Sequence, residues 1–236
     1  MRIDKIMVIG AGGVGSWLIP ALQKLRPDDY IEVWDGDILE EKNMDRQLFD
    51  DEHIDMNKAW AIKEKYGGYV GARDRYYTHG ADSEITDNTF IFGCADNHPA
   101  RKEILTTADR TDCKVIIGGN SYTDADGYFY ESVWRDTPCD PRVYYPDILT
   151  DTSGSPVHAS GCTGEAQRET PQLVLANYWA AAHMLHLFWY HTEIAPNLDR
   201  SSELYEQMRQ NMPMLERNSA YKFETLTVND LNKQHA

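Results

Sequence analysis

The feature that most constrains the fold is a glycine-rich loop near the start of the chain. GAGGVGS (10–16) directly follows the short apolar run KIMVIG (5–10). The apolar run predicts a buried strand, and the pattern that continues to Leu25 predicts a helix that Pro27 ends. Exposed N–H groups at the start of such a helix favour a phosphate group. No Gly-Lys-Ser/Thr sequence occurs, which excludes a P-loop.

Four glycines of this loop are candidates for nucleotide binding. Gly10 permits the tight turn, and Gly15 allows close packing of the helix. Gly12 and Gly13 let the backbone approach a ligand closely. Asp35 lies 20 residues after Gly15, at the end of the predicted second strand YIEVWD, where a carboxylate accepts hydrogen bonds from ribose hydroxyls. The pattern predicts an adenine nucleotide without saying which one.

The loop after this second strand carries more polar residues than a nicotinamide site needs. It contains Asp37, Asn43, Arg46 and Gln47, and Lys58 follows in the first turn of the next predicted helix. A cation at that position opposes the helix dipole, which favours a phosphate ligand. Taken alone, Lys58 is explained better as a solvated lysine.

A second polar group follows the predicted strand TFIFGC (89–94). Asp96 comes at the carboxyl end of that strand, where open parallel sheets bind ligands. A carboxylate beside a triphosphate is suited to hold Mg²⁺. Asn97 either joins this site or caps the following helix, and Arg101 has the simpler explanation of an ion pair with an acid.

Strands alternate with helices through the first half of the chain, which predicts βαβ units and a parallel sheet. A helix is expected to begin near Asp55, and RDRYYTH (73–79) is a candidate third strand. SYTDADGYFYESVW (121–134) then alternates around an Asp126-Gly127 turn and predicts an antiparallel hairpin. YKFETLTV (221–228) is expected to be an edge strand.

Composition limits the classes of partner. The 236 residues are 42% hydrophobic and predict one domain, 1–236, with a polar C-terminal extension at 191–236. The net charge of -15 argues against nucleic acid and anionic membranes as partners. The N-terminus has no signal-peptide layout, and the four cysteines include no Cys-x-x-Cys pair, so a cytoplasmic location is expected.

The glycine loop, DGD, NMDRQ, NKA and ADNHPAR resemble, in this order and spacing, the ThiF/MoeB/E1 superfamily of ubiquitin-activating-type enzymes. The resemblance covers residues 5 to about 120. Further on, residues 137–147 and the segment around Cys162 are similar to the family's cysteine-containing segments, more loosely. The resemblance implies an α/β, Rossmann-like fold. Its mostly parallel sheet would have helices on both faces and continue into antiparallel strands in the C-terminal half.

The resemblance also implies a reaction, in which a carboxylate attacks the α-phosphate of ATP and gives an acyl-adenylate and pyrophosphate. The carboxylate would be the C-terminus of a ubiquitin-like or sulfur-carrier protein, or a peptide, and the enzyme a homodimer. Arg46, Lys58 and Asp96 would be catalytic, with Asp96 holding Mg²⁺. The nucleotide would contact Gly10, Gly12, Gly13, Gly15, Asp35, Asp37, Asn43, Arg46, Gln47, Lys58 and Asn97.

The sequence departs from the family pattern at its cysteines. Cys139 stands where relatives hold zinc, but its Cys-x-x-Cys partner is missing, so no structural zinc is expected. Cys162 stands where relatives carry a cysteine that forms covalent links, without the usual glycine-rich surroundings. A covalent nucleophile and a free structural cysteine both remain open at that position.

Two other functions compete with adenylation. An NAD(P)-dependent oxidoreductase uses the same kind of glycine loop. A non-catalytic E1-like subunit keeps the fold and loses the cations of the phosphate site. Because Arg46 and Lys58 are present here, catalysis is the preferred interpretation.

Overall fold

The structure is a computed structural model that describes residues 2–81, 84–121, 124–152, 174–197, 210, 212–219 and 222–234. One sheet of eight strands organises the described part, in the order β3-β2-β1-β4-β5-β6-β7-β8. The strands are β1 Lys5–Ile9, β2 Ile31–Trp34, β3 Val70–Arg73, β4 Thr89–Gly93, β5 Lys114–Asn120, β6 Ala125–Tyr130, β7 Pro213–Ser219 and β8 Lys222–Thr227.

The first five strands are parallel, and each of the last three is antiparallel to the strand before it. The α-helices of the described part are α1 Gly13–Leu25, α2 Lys58–Tyr66, α3 His98–Thr111, α4 Pro141–Tyr144, α5 Asp147–Thr150, α6 Val174–Trp189 and α7 Val228–Gln234. This mixed sheet confirms the predicted Rossmann-like α/β class and its antiparallel continuation.

Alternation along the strands builds a core on each face of the sheet. In β1, Ile6 and Val8 join a cluster with residues of α1 and α6, whereas Met7 and Ile9 join a cluster with residues of α3. All four side chains are at most 3% exposed. A strand buried on both faces reads as a continuous apolar run, which is why KIMVI marks the centre of the sheet.

Two local predictions in the first half of the chain were wrong. Helix α2 begins after Asn57, whose side chain accepts hydrogen bonds from the N–H groups of Ala59 and Trp60, and not near Asp55. The third strand lies at Val70–Arg73, before the predicted 73–79. Tyr77, in the segment predicted as a strand, is buried by tertiary contacts. It shares a hydrogen bond with Thr107 of α3 and packs edge-on against Trp34.

The predicted hairpin turn at Asp126-Gly127 was also wrong, because both residues lie inside β6. The chain reverses between Asn120 and Ala125, where Ser121 N–H donates to the Asp124 carbonyl. Gly127 is explained by the helix above it, since an added Cβ would lie 3.0 Å from His183 Cβ. A glycine inside a strand often marks such a close approach.

Candidate functional site

The glycine loop forms the tight connection between β1 and α1. Gly10 has a φ of +96°, and an added Cβ there would lie 3.0 Å from the backbone of Cys94 and Ala95, just beyond β4. A Cβ on Gly15 would lie 2.0 Å from the Gly10 carbonyl oxygen. Both positions therefore require glycine. They hold the start of α1 directly beside the end of β4.

The N-terminus of α1 is suited to an anion. Gly12 is its N-cap, no side chain of the described residues caps it, and the first turn contains no acidic residue. The first N–H groups of any helix lack an acceptor within the helix and carry partial positive charge. A phosphate can accept hydrogen bonds from these groups.

Asp35 follows β2 and is tied to the glycine loop. Its carboxylate accepts hydrogen bonds from Ala11 N–H at 2.7 Å and from Asp37 N–H at 2.8 Å. Burial raises the pKa of Asp35 to about 6, against the opposing effect of Lys58. An ionised carboxylate offers about four acceptor sites, so Asp35 can still accept hydrogen bonds from a ligand hydroxyl.

Lys58 reaches this site through its partner Asp37. Its ammonium nitrogen lies 3.0 Å from Asp37 Oδ2, and the lysine side chain is only 9% exposed. Burial raises the pKa of Asp37, but Lys58 and the Tyr76 hydroxyl outweigh burial and lower it below its usual value. Lys58 is thus an almost buried cation held at the strand ends, and the interpretation as a solvated lysine was wrong.

The segment 43–48 packs against the first turns of α1. Ser16 Oγ accepts a hydrogen bond from Leu48 N–H at 3.0 Å. The Arg46 carbonyl accepts one from Trp17 Nε1 at 3.1 Å. Gln47 is buried beside Gly12, with its Nε2 3.7 Å from the position of an added Cβ. These contacts hold the segment at the entrance of the glycine loop.

Arg46 and Asn43 differ in their contacts within this segment. The Arg46 guanidinium donates to the Lys42 carbonyl at 3.0 Å and to Asp45 at 2.9 Å. Asn43 is buried, and its side chain accepts a hydrogen bond from Glu40 N–H at 3.1 Å. Asn43 therefore shapes the loop that carries Arg46 and Gln47.

Asp96 and Asn97 lie between β4 and α3. Asp96 is exposed, and it follows Cys94 and Ala95, whose backbone packs on Gly10. Asn97 caps α3, because its side chain accepts a hydrogen bond from Ala100 N–H at 2.9 Å. The capping role, one of the two alternatives for Asn97, is the one that these contacts show.

The fold thus brings most predicted site residues to the carboxyl ends of the parallel strands. β2, β1 and β4 are neighbours and parallel, so Asp35, the glycine loop and Asp96 follow their adjacent carboxyl ends. Cys162 lies outside the described residues. Cys139 is buried, and burial raises the pKa of its thiol to about 11.

One residue of this site was missed by the sequence analysis. Asn177, on the otherwise apolar helix α6, donates to the Arg46 carbonyl at 3.2 Å and accepts from Asn120 Nδ2 at 2.9 Å. Its side chain also fills the space beside Gly13, 2.7 Å from the position of an added Cβ. The sequence signal for Asn177 was an amide within the apolar run 171–190. The structure shows that this amide is fully buried.

Buried polar atoms without partners test whether the site suits a ligand. Three side-chain atoms find no hydrogen-bond partner among the described residues, and they are Gln47 Oε1, His98 Nδ1 and Arg101 Nε. Leaving a buried polar atom unpaired costs roughly 1–3 kcal/mol. Gln47 lies beside Gly12, and His98 begins α3 two residues after Asp96. Their unpaired atoms therefore fit a polar ligand at this site, whereas Arg101 lies beside Gly119.

Comparison with known proteins identifies the family. The sequence model of the ThiF family matches residues 1–220. The chain belongs to the ThiF family. ThiF-family proteins are E1-like adenylyltransferases in general, which agrees with the resemblance seen in the first half of the chain.

A solved structure supports the ThiF-family fold. The chain is similar to PaaA with a TM-score of 0.56 and 17% identity, over 94% of this chain and 62% of that one. The chain thus spans less than two thirds of the PaaA chain. A search of curated proteins found no match. Within the described residues of this ThiF-family protein, no helix is long and apolar enough to cross a membrane.

Proposed function

We propose that the protein uses Mg-ATP to activate a carboxylate as an acyl-adenylate. This proposal rests on three contacts around the uncapped start of α1, namely Ala11 N–H to Asp35, Lys58 to Asp37, and Gln47 beside Gly12. Asp96 follows Cys94 and Ala95, whose backbone packs on Gly10. These residues offer a hydrogen-bond acceptor for ribose, donors for phosphate and a carboxylate for a metal. A hydride-transferring enzyme does not require this cation set.

The reaction is a substitution at phosphorus. An oxygen of the substrate carboxylate bonds to the α-phosphorus of ATP, the bond to the β-phosphate oxygen breaks, and pyrophosphate leaves. No general base is required, because a carboxylate is already ionised at pH 7. The difficulty is electrostatic, since two anions must approach and negative charge develops on the phosphate oxygens.

The residues of the site meet that difficulty. Lys58 carries three N–H donors and directs one to Asp37, which leaves donors for phosphate oxygens. The Arg46 side chain is 11% exposed, so its charge acts where water screens it little. Asp96 would hold Mg²⁺, which supplies charge neutralisation at the phosphates. An acidic protein can bind ATP because its cations are concentrated here.

The substrate carboxylate belongs to a ubiquitin-like or sulfur-carrier protein, or to a peptide, and the active species is a homodimer. Both statements are proposals based on the ThiF family. Pyrophosphate exchange into ATP, measured with a panel of these substrates, tests the reaction. Exchange with at least one of them is expected. Absence of exchange with all of them, in a protein that binds Mg-ATP, would favour the non-catalytic E1-like alternative.

Ligand protection separates the proposal from the oxidoreductase alternative. A ligand at a hundred times its Kd stabilises the folded state by about 2.7 kcal/mol. We expect Mg-ATP to raise the Tm by several degrees and NAD to leave it unchanged. Protection by NAD or NADP without protection by Mg-ATP would contradict the proposal. Differential scanning fluorimetry makes this comparison.

The pH dependence of ATP binding tests the role of Asp35. With a pKa of about 6, Asp35 is charged at pH 7.5 and mostly protonated at pH 5. Hydrogen bonds to charged groups are worth roughly 1.5–3 kcal/mol and neutral ones about 1 kcal/mol. Affinity should therefore fall as the pH drops through 6, by up to about tenfold beyond the effect of ATP's own titration.

The Asp35→Asn variant is the control for this measurement, because it keeps the titration of ATP and lacks that of Asp35. Isothermal titration calorimetry at several pH values gives the difference between the two proteins. We expect the two profiles to diverge above pH 6. Parallel profiles would show that Asp35 does not contact the nucleotide.

A further inference from the structure

Asn177 is a fully buried amide on α6, a helix whose other buried residues are all apolar. If packing alone decided this position, an apolar side chain would serve, because burying a polar group is unfavourable unless it is hydrogen-bonded. Both polar atoms of Asn177 have partners, and those partners belong to two segments that are distant in the chain. The hydrogen bonds therefore explain why an amide occupies this position.

One partner of Asn177 is the peptide group of Arg46. Asn177 Nδ2 donates to the Arg46 carbonyl oxygen at 3.2 Å, and Trp17 Nε1 of α1 donates to the same oxygen at 3.1 Å. A carbonyl oxygen has two lone pairs, so the two donors use its full capacity. Donors on two helices thus fix one planar peptide group, and with it the Cα from which the Arg46 side chain extends.

The other partner of Asn177 is Asn120 at the end of β5. Asn177 Oδ1 accepts a hydrogen bond from Asn120 Nδ2 at 2.9 Å. Because a backbone carbonyl can only accept, the nitrogen of Asn177 must face Arg46 and its oxygen must face Asn120. An amide meets both requirements, whereas a carboxylate meets only the second.

The same amide lies beside the glycine loop. The position of an added Cβ on Gly13, the first residue of α1, lies 2.7 Å from Asn177 Oδ1 and 2.9 Å from Asn177 Nδ2. A side chain at Gly13 would therefore displace the amide, because real Cβ atoms do not approach other atoms so closely. Asn177 thus lies between the helix start that is suited to phosphates and the segment that carries Arg46.

We propose that Asn177 is a positioning residue of the nucleotide site, which holds the segment carrying Arg46 against the start of α1. This proposal rests on the proposed function, which assigns Arg46 to the phosphates. Asn177 is itself fully buried and acts through the Arg46 peptide group. A displacement of about 1 Å in a group that positions a reactant can cost about a hundredfold in rate.

Hydrogen exchange without nucleotide, followed by NMR, tests the hold on segment 43–48. The N–H groups of Arg46 and Gln47 donate to the Asn43 carbonyl in this segment. Asn177→Leu keeps a branched side chain and removes both hydrogen bonds of the amide. The two N–H groups should exchange at least about tenfold faster in this variant, and those of β1 should change less. Unchanged exchange, or acceleration equal to that of β1, would overturn the proposal.

Calorimetry with Mg-ATP tests whether the effect passes through Arg46. Asn177→Leu should weaken binding at least about tenfold in the wild-type background and less than about threefold in the Arg46→Ala background, where the positioned charge is absent. An equal factor in both backgrounds would mean that Asn177 acts independently of Arg46 and would contradict the proposal.

Thr192→Val is the matched control for the loss of a buried hydrogen bond. Thr192 is buried just beyond α6, and its hydroxyl donates to the Phe188 carbonyl at 2.8 Å. It lies about 20 Å from Asn177 along the helix axis. Thr192→Val should bind Mg-ATP normally, and weakening equal to that in Asn177→Leu would contradict the positioning role.

The Asn177→Asp variant adds a measurement that depends on pH. An ionised carboxylate has no donor for the Arg46 carbonyl, whereas a protonated one can donate its hydroxyl. Burial favours the neutral acid. The Kd for Mg-ATP, divided by that of the wild type, should therefore fall from about ten at pH 8 to about one at pH 6. A ratio that does not change with pH would contradict the proposal, and this ratio decides if Asn177→Leu fails to fold.

The two kinds of measurement separate this proposal from the proposed function. Wild-type affinity for Mg-ATP in Asn177→Leu would refute the positioning role alone. Faster hydrogen exchange of segment 43–48 in Asn177→Leu, in a protein that never binds Mg-ATP, would refute the nucleotide proposal and leave the hold on the segment standing.

Discussion

The Asp96→Ala variant should lose about two to three orders of magnitude in ATP–pyrophosphate exchange. Its expected role is to hold Mg²⁺ beside the phosphates, from the loop after β4 whose residues Cys94 and Ala95 pack on Gly10. Without that carboxylate, the charge on the leaving pyrophosphate is poorly neutralised. Radiolabelled pyrophosphate exchange measures the loss, and calorimetry should show weaker ATP binding whose magnesium dependence has disappeared.

The fold should tolerate this substitution, because Asp96 is exposed and exposed surface changes usually alter stability by less than about 0.5 kcal/mol. Asp28→Ala is the control, since it removes one exposed carboxylate from the loop before β2, at the amino-terminal ends of the parallel strands. Asp28→Ala should retain full exchange. Equal rates in Asp96→Ala and Asp28→Ala would remove Asp96 from the mechanism.

The Arg46→Ala variant should slow exchange by a similar factor of about two to three orders of magnitude. The segment that carries Arg46 is fixed on α1 by backbone contacts, namely Trp17 and Asn177 to the Arg46 carbonyl. Those contacts survive in the variant, so the loop should keep its position. The variant loses the charge of Arg46 together with the bonds of its guanidinium to the Lys42 carbonyl and Asp45. Exchange assays and a thermal melt test both parts of this expectation.

Loss of the ion pair should cost Arg46→Ala only roughly 0–1 kcal/mol, because the partner Asp45 is 73% exposed. Loss of packing around the Arg46 side chain, which is 11% exposed, adds to this cost. Lys42→Ala is the matched control, because it removes one positive charge from the same loop at a side chain that is 52% exposed. We expect wild-type exchange in the control. An Arg46→Ala protein as active as the control would exclude a role for Arg46 in catalysis.

The parts of the site that the sequence predicted depend on chemistry local to a strand end. Gly10 and Gly15 are required by a turn of only a few residues, so their spacing could be read directly. Asp35 lies next to the glycine loop because consecutive parallel strands β1 and β2 are neighbours. Asp96 follows β4 at the same ends of the strands, because β4 is the other parallel neighbour of β1.

The parts that sequence analysis missed depend on contacts between distant segments. Asn177 reaches the glycine loop from a helix more than 150 positions away in the chain. Arg101 and Asp126 both lie beside Gly119 only because β6 pairs antiparallel with β5. The turn wrongly predicted at Asp126-Gly127 had the same cause. Gly127 is required by the close approach of α6 and not by a local chain reversal.

The most direct test of the central claim is a crystal structure with Mg²⁺ and a non-hydrolysable ATP analogue. The phosphates should accept hydrogen bonds from the first N–H groups of α1, with Arg46 and Lys58 in contact and the metal on Asp96. The ribose should lie against Asp35. An analogue bound away from Gly12 and Gly13, or a metal with no contact to Asp96, would contradict it.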